Sequence, residues 1–225
     1  VTGRVALAVM AKVPMAGHVK TRLCPPLTPA EAAALAQCFL LDRLEQLGEV
    51  SDGDALVAFT PKERDAEMRA LVPAGVRLVP QEGMDLGARL DRVLTDLLAE
   101  GYAGAIAVDA DSPTLPTAYL RRACGVLRDP AIDVVVGPCE DGGYYLIGLR
   151  VPAPALFRDM PWSTVMVTEE TLARARRLGL RLALLPSWFD VDRGEDLTRL
   201  RAPAPPEAFR APRTLAFVQA GRVSA

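Results

Sequence analysis

The sequence predicts a single α/β domain built on a mostly parallel sheet. Short apolar runs of strand length alternate with longer segments of helical period, the pattern of successive βαβ units. The chain has 225 residues, and 50% of them are hydrophobic. That is enough for one sheet buried on both faces, short for two independent cores, and incompatible with a disordered chain. The unusual polar and glycine-bearing stretches follow the apolar runs, and in sheets of this kind ligands bind beyond the carboxyl ends of the strands.

Residues 5–11 form the first apolar run and read as a buried strand. A loop rich in Gly, Pro and Lys follows, over 12–26. Thr28-Pro29-Ala30-Glu31 then starts a helix that extends to about residue 47, with Thr28 as N-cap, Pro29 at the first helical position and Glu31 closing a capping box. Residues 55–59 read as a strand, 63–71 as a helix and 76–79 as a third strand. Over 86–100, Leu86, Leu90, Val93, Leu94, Leu97 and Leu98 recur on one helical face. Residues 105–108 are a buried strand and 116–127 a helix. Two strands, 134–136 and 144–149, flank a loop containing Gly142-Gly143. A helix over 169–178, a strand over 182–185 and a short helix over 195–200 complete the order. The domain is expected over residues 1–202, with 203–225 a Pro- and Ala-rich, loosely packed tail.

The formal net charge of −2 gives no general attraction to nucleic acid or anionic membrane, and no basic stripe offers a local one. The run at the N-terminal end is too short for a signal-peptide core or a membrane span, and no other segment is long and apolar enough to span. A soluble, cytoplasmic protein is expected. Cys24, Cys38, Cys124 and Cys139 include no C-x-x-C pair and read as reduced thiols. With His18 as the single histidine, a structural zinc site and a Ser-His-Asp or Cys-His system are both disfavoured.

Lys12-Val-Pro-Met-Ala-Gly17-His18-Val-Lys20-Thr-Arg22 joins the first strand to the first helix. Gly17 permits a tight turn, and the cations with backbone N–H groups can converge on an anion such as a polyphosphate. The spacing is not that of a Walker A loop, and taken alone the loop also reads as a solvated basic turn. Val108-Asp109-Ala-Asp111-Ser112-Pro113 ends a buried strand with two carboxylates, costly there unless a cation or hydrogen bonds compensate them. Mg²⁺ suits such oxygen ligands; the alternative makes Asp109 a turn residue and Asp111 a helix cap. Asp190-Val-Asp192-Arg193-Gly-Glu195-Asp196 lies past the last strand, where Asp190 and Asp192 can supply the opposite wall of a metal site. One of Asp192, Glu195 and Asp196 is expected to serve only the N-terminus of the short helix. Asp141-Gly142-Gly143 reads either as a hairpin turn or as a close-approach loop whose carboxylate binds a substrate hydroxyl. Gln81-Glu-Gly83-Met-Asp85 reads either as backbone contact with a base or ribose, or as a plain loop with Asp85 as N-cap.

Taken together, Ala11-Lys12-x-Pro14-x-x-Gly17-x-x-Lys20-Thr21-Arg22-Leu23, Asp85-Leu86-Gly87-x-Arg89-Leu90, Asp111-Ser112-Pro113-x-Leu115, Gly137-Pro138-x-x-Asp141-Gly142-Gly143-Tyr144-Tyr145, Pro161-Trp162-Ser163-Thr164 and Asp190-Val191-Asp192-x-x-Glu195-Asp196-Leu197 resemble the family of unknown function numbered 2064. That family is also called radical-SAM/selenodomain-associated transferase 1, a branch of the nucleotide-diphospho-sugar transferase superfamily. The Lys20-Thr21-Arg22 stretch is also similar to phospholactate guanylyltransferases. The resemblance implies a GT-A-like three-layer sandwich with a small antiparallel portion in its sheet. It implies that Lys20 and Arg22 hold the triphosphate, with nucleotide contacts also from Lys12, Gly17, Gln81, Gly83, Asp85 and Ser112. Acceptor contacts are expected from Asp141, Gly142, Gly143, Trp162, Ser163 and Thr164. Mg²⁺ or Mn²⁺ is expected among Asp109, Asp111, Asp190 and Asp192. Arg193 departs from the pattern, which has a small hydroxyl residue there.

The reaction expected is nucleotidyl transfer from a nucleoside triphosphate to a small phosphorylated acceptor, with release of pyrophosphate. A phosphate nucleophile is already ionised at neutral pH, so a site of carboxylates, Lys and Arg suffices, with Lys20, Arg22 and Asp111 as the catalytic set. The alternative is glycosyl transfer from a nucleotide-diphosphate sugar, for which Asp109-Ala-Asp111 supplies a literal Asp-x-Asp motif and Asp141 or Glu140 a base. A non-catalytic nucleotide-binding module is the third reading.

Overall fold

The structure is a computed structural model that describes residues 3–220. The strands are β1 (Val5–Lys12), β2 (Gly53–Thr60), β3 (Arg77–Pro80), β4 (Gly104–Val108), β5 (Val134–Pro138), β6 (Tyr144–Leu149) and β7 (Leu182–Leu184). The helices are α1 (Pro29–Gly48), α2 (Asp65–Leu71), α3 (Leu86–Ala99), α4 (Thr117–Arg128), α5 (Val167–Arg177), α6 (Leu197–Arg201) and α7 (Pro212–Gln219). The strands form one seven-stranded sheet in the order β3-β2-β1-β4-β6-β5-β7. Pairings β1–β2, β1–β4, β2–β3 and β5–β7 are parallel, and β6 runs antiparallel to both β4 and β5.

Alternation along β1 explains the three layers. Val5, Leu7 and Val9 pack on the face covered by α1, α2 and α4, where Leu40, Leu44, Met68, Leu120 and Leu127 are buried. Ala6 and Ala8 face the other way, against Leu90, Val93, Leu94 and Leu97 of α3 and Ala175 of α5. The leucine stripe of α3 is thus its buried face, except at Leu86, which is 43% exposed. The expected cap of α1 is present: Glu31 donates its backbone N–H to the Thr28 hydroxyl, and Thr28 donates its own to the Glu31 carboxylate at 2.8 Å.

The C-terminal stretch differs from a loose tail. Residues 212–219 form α7, with Phe217 and Val218 buried together with Leu35 and Phe39 of α1 and Leu197 and Leu200 of α6. Asp42 of α1, fully buried, supplies the missing cap: its carboxylate accepts the backbone N–H of Arg213 (3.1 Å) and of Thr214 (2.8 Å).

β1 lies inside the sheet. The chain leaves it for β2 on one side and later returns, through α3, to β4 on the other. The carboxyl ends of β1 and β4 therefore border the crevice at which the strand order switches direction, the place where open α/β sheets take ligands.

Candidate active site

A cavity of about 590 Å³ opens at that crevice. Its walls include Lys12, Lys20 and Arg22 from the first loop, Gln81 and Leu86 beyond β3, Asp109 and Asp111 beyond β4, and Tyr144, Ser163 and Asp192. A second hollow, of about 680 Å³, is an open depression lined by Arg22, Pro25-Pro26 and residues 193–195.

Lys20 has left-handed backbone geometry (φ 48°) just before a single 3-10 turn, Thr21–Leu23. That turn aims its ammonium inward, where it lies 2.9 Å from Asp111 and 3.6 Å from Asp192 and donates to the Val191 carbonyl at 2.7 Å. Burial opposes the charge on Lys20, but Asp111, then Asp192 and Asp109, outweigh it, so its pKa lies above the ordinary lysine value. Arg22 is exposed and pairs with Asp192 at 2.9 Å. The two acidic stretches, far apart in sequence, meet through a backbone hydrogen bond from Val191 N–H to the Asp111 carbonyl (2.8 Å). Asp196 is the acid that serves the backbone: its carboxylate accepts the N–H of Asp192 (3.0 Å) and Arg193 (2.7 Å), leaving the Asp192 side chain for Lys20 and Arg22. Arg193 itself points to solvent, so the departure there leaves this geometry intact.

Asp109 is engaged differently from Asp111. The guanidinium of Arg43, wholly buried in α1, stands 3.3 Å from its carboxylate and also donates to the backbone carbonyls of Asp109 (3.1 Å) and Ser112 (2.6 Å). The Ser112 hydroxyl donates to Asp109 at 2.7 Å. Burial, opposed by Arg43 and reinforced by the charge of Asp111, leaves the Asp109 carboxyl pushed up to about 7. Ser112, expected at the nucleotide, is instead fully buried with its hydroxyl turned onto Asp109, and Asp109, expected at the metal, is already compensated by Arg43.

The remaining acids gather beside Asp190. A carboxylate oxygen of Asp141, one of Asp190 and the thiol of Cys139 all lie within 4.8 Å of one another. Burial, then the like charge of Asp141, raises the Asp190 carboxyl to about 6. Among the described residues neither Asp141 nor Asp190 forms a salt bridge, so this is the uncompensated negative charge of the site and the set best suited to a divalent cation. Of the four acids expected at a metal, Asp190 belongs to this group, while Asp111 and Asp192 face Lys20. Asp141, expected at the acceptor, joins it as well; its Oδ1 also accepts the Gly143 N–H (2.9 Å).

The other expected contacts divide. Gln81 lines the cavity, but its amide donates to the carbonyls of Ala58 (2.7 Å) and Ala11 (3.3 Å), tying the ends of β1 and β2 together. Asp85 caps α3, accepting the Ala88 N–H at 2.8 Å, and Gly83 (φ 143°) closes tightly on that turn. Gly17 (φ 79°) shapes the basic loop. Gly142 (φ 92°) packs so closely on the Val165 carbonyl that no side chain fits, which holds segment 161–166 against the β5–β6 turn. Within that segment Thr164 spends its hydroxyl on Pro161 (2.8 Å), Ser163 lines the cavity, and Trp162 stands edge-on to Tyr144. Sequence reasoning missed Arg43 and Tyr144. A charged residue at helical spacing between Phe39 and Leu47 on the inner face of α1 was the available signal for the first.

With this geometry in view, a family model described as an uncharacterized protein conserved in bacteria, DUF2064, matches residues 43–164. The chain belongs to the DUF2064 family. Among related proteins, 2-phospho-L-lactate guanylyltransferase of Methanothermobacter thermautotrophicus is 28% identical over 187 residues, covering 80% of this chain and 77% of that one. The 3-phospho-D-glycerate guanylyltransferase of Phenylobacterium zucineum is 30% identical over 181 residues, covering 79% and 81%. A crystal structure from Desulfovibrio desulfuricans G20, named for the nucleotide-diphospho-sugar transferases, superposes with a TM-score of 0.89 at 29% identity over 96% of this chain and 94% of that one. This DUF2064 protein is thus a transferase-type member of the nucleotide-diphospho-sugar transferase superfamily with a GT-A-like fold. No helix among its described residues is long and apolar enough to cross a membrane.

Proposed function

We propose that this DUF2064 protein is a divalent-cation-dependent nucleotidyltransferase. An oxygen of a phosphorylated acceptor attacks the α-phosphorus of a nucleoside triphosphate, the bond from that phosphorus to the bridging oxygen breaks, and pyrophosphate leaves with the electron pair. The observation that carries this reading is the buried ammonium of Lys20, which lines the cavity together with Lys12 and Arg22. Such cations offset the charge that develops on a departing pyrophosphate. The nucleophile needs no general base, in keeping with a chain whose single histidine is His18.

Asp190 and Asp141, with Cys139 beside them and Asp111 and Asp192 nearby, are the residues that would hold Mg²⁺ or Mn²⁺. The ion, when bound, supplies charge neutralisation on the phosphates. The names of the two related guanylyltransferases make GTP the first donor to test, and phosphorylated carboxylic acids the first acceptors.

Glycosyl transfer is the second reading, supported by the Asp109-Ala-Asp111 motif and the likeness to the Desulfovibrio structure. Against it, Asp109 is held by Arg43 and Ser112, and Glu140, one of its two candidate bases, is paired with Arg199 at 2.7 Å. The test is pyrophosphate release from GTP, ATP, CTP and UTP with Mg²⁺ and either 3-phospho-D-glycerate or 2-phospho-L-lactate. Release with one pairing is the expected result. Silence across the panel, together with turnover of a nucleotide-diphosphate sugar, would replace the first reading by the second.

A further inference from the structure

We infer that Tyr144 reads the acceptor: its hydroxyl donates to the carboxylate of a phosphorylated carboxylic acid. The inference rests on the nucleotidyl-transfer reading for the kind of acceptor, and on geometry for the residue.

Buried polar atoms are nearly always hydrogen-bonded, and one left unpaired is destabilising. Among the described residues, the buried side-chain atoms without a partner are Tyr144 Oη, Trp162 Nε1 and Thr214 Oγ1. Thr214 belongs to α7, outside the cavity. The other two are neighbours, with ring centroids 6.2 Å apart at 81°, and Tyr144 lines the cavity. The next residue offers a contrast: Tyr145 donates its hydroxyl to the Pro186 carbonyl at 2.9 Å. A phenylalanine at 144 would fill the same space without an orphaned hydroxyl, so the hydroxyl is explained by a partner that arrives from outside the protein.

The chemistry of that partner follows from what the wall offers. A phenol at neutral pH is un-ionised and donates readily. A neutral donor calls for an oxygen that accepts. Of the cations lining the cavity, Arg89 and Lys12 belong to the α3 side and Lys20, over the Phe39 ring, to the α1 side. Tyr144 is on the face of the sheet opposite Lys20, packed with the α3 cluster. A carboxylate, with less charge than a phosphate, suits a donor that carries none. The Tyr144 hydroxyl is buried on the side where its ring meets that of Trp162. Ser163, one residue on from Trp162 and in a left-handed conformation (φ 63°), lines the same cavity.

The test compares 3-phospho-D-glycerate with glycerol 3-phosphate, which has a hydroxymethyl group in place of the carboxylate. Binding is measured by calorimetry on the intact protein with Mg²⁺ and α,β-methylene GTP, so it does not depend on turnover. Wild type is expected to prefer the carboxylate by roughly tenfold or more, the effect of a hydrogen bond to a charged group. Tyr144→Phe is expected to abolish the preference, to leave binding of α,β-methylene GTP unchanged, and to melt at the same temperature or higher, since it deletes an unpaired buried group. A merely structural hydroxyl would instead lower the melting temperature and keep the preference. Tyr145→Phe should lose stability while retaining the preference. Equal binding of the two phosphates by wild type, no binding of either, or a preference that survives in Tyr144→Phe overturns the inference. Failure of the nucleotidyl-transfer reading would register separately, as no pyrophosphate release with the carboxylate preference intact.

Discussion

Lys20 holds two carboxylates together from a strained backbone position, and left-handed geometry in a residue with a side chain costs about 1–3 kcal/mol. Replacing it by Ala removes the ammonium and leaves Asp111 and Asp192 facing each other with only the exposed Arg22 to compensate. Turnover in the pyrophosphate assay should fall about 10²–10³-fold, the usual loss for one preorganised charge-stabilising donor. Lys20→Arg should not restore it, because a planar fork does not fit the point between Asp111, Asp192 and the Val191 carbonyl. Activity of Lys20→Ala within a few-fold of wild type would remove this residue from the chemistry. Lys20 was legible because basic residues concentrate in one short loop after an apolar strand. Arg43 was not, although it decides what Asp109 can do: its partner lies 66 positions away, and no local spacing encodes a contact of that range.

At the scale of elements, helix starts marked by their own neighbours were readable, as the Thr28 and Asp85 caps show. The start of α7 was not, because its cap comes from another helix, 172 positions distant, and only Phe217 and Val218 mark its apolar side. Asp42→Ala should cost about 1–2 kcal/mol in urea denaturation, the range for a lost N-cap, and should expose residues 203–211 to limited proteolysis. Unchanged stability and protease resistance would mean that apolar contact alone docks α7. A second acid clamps strand ends. Asp133, before β5, pairs with Arg181, before β7, at 2.8 Å and with Arg150, after β6. Hydrogen bonds from Arg181, against the opposing effect of burial and with help from Arg150, hold its carboxyl well below the usual range. An unfolded aspartate titrates near 4, so the clamp contributes fully above that pH and its contribution is lost as pH falls further, through the depressed folded value. Asp133→Asn should therefore be less stable than wild type by about 2 kcal/mol at neutral pH. In thermal melts the gap should narrow steadily below roughly pH 4. A gap that does not change with pH would exclude the ionised clamp as its cause.

Across the whole molecule, the alternation of strands and helices disclosed the parallel half of the sheet, but the position of β6 between β4 and β5 depends on long-range pairing that no local pattern states. The same limit applies to the metal set. Sequence shows which carboxylates end strands; only the fold shows which are already neutralised, Asp109 by Arg43 and Asp111 and Asp192 by Lys20, and which are not, Asp141 and Asp190. That division predicts how donor and cation depend on each other. Lys12, Lys20 and Arg22 line the cavity and the unpaired acids Asp141 and Asp190 lie beside it, so a triphosphate alone meets attraction at one end and repulsion at the other. A divalent ion shared with Asp190 turns that repulsion into attraction. Mg²⁺ and GTP together should raise the melting temperature by more than the sum of their separate shifts. At a hundredfold excess over Kd the gain is about 2.7 kcal/mol, which in a domain of this size is roughly 5–10 °C. A chelator should reverse it, and Asp190→Asn should reduce the excess while leaving the small shift with GTP alone. If GTP with chelator stabilises as much as GTP with Mg²⁺, then Lys12, Lys20 and Arg22 carry the triphosphate unaided, and the Asp141–Asp190 pair must serve some other positively charged partner.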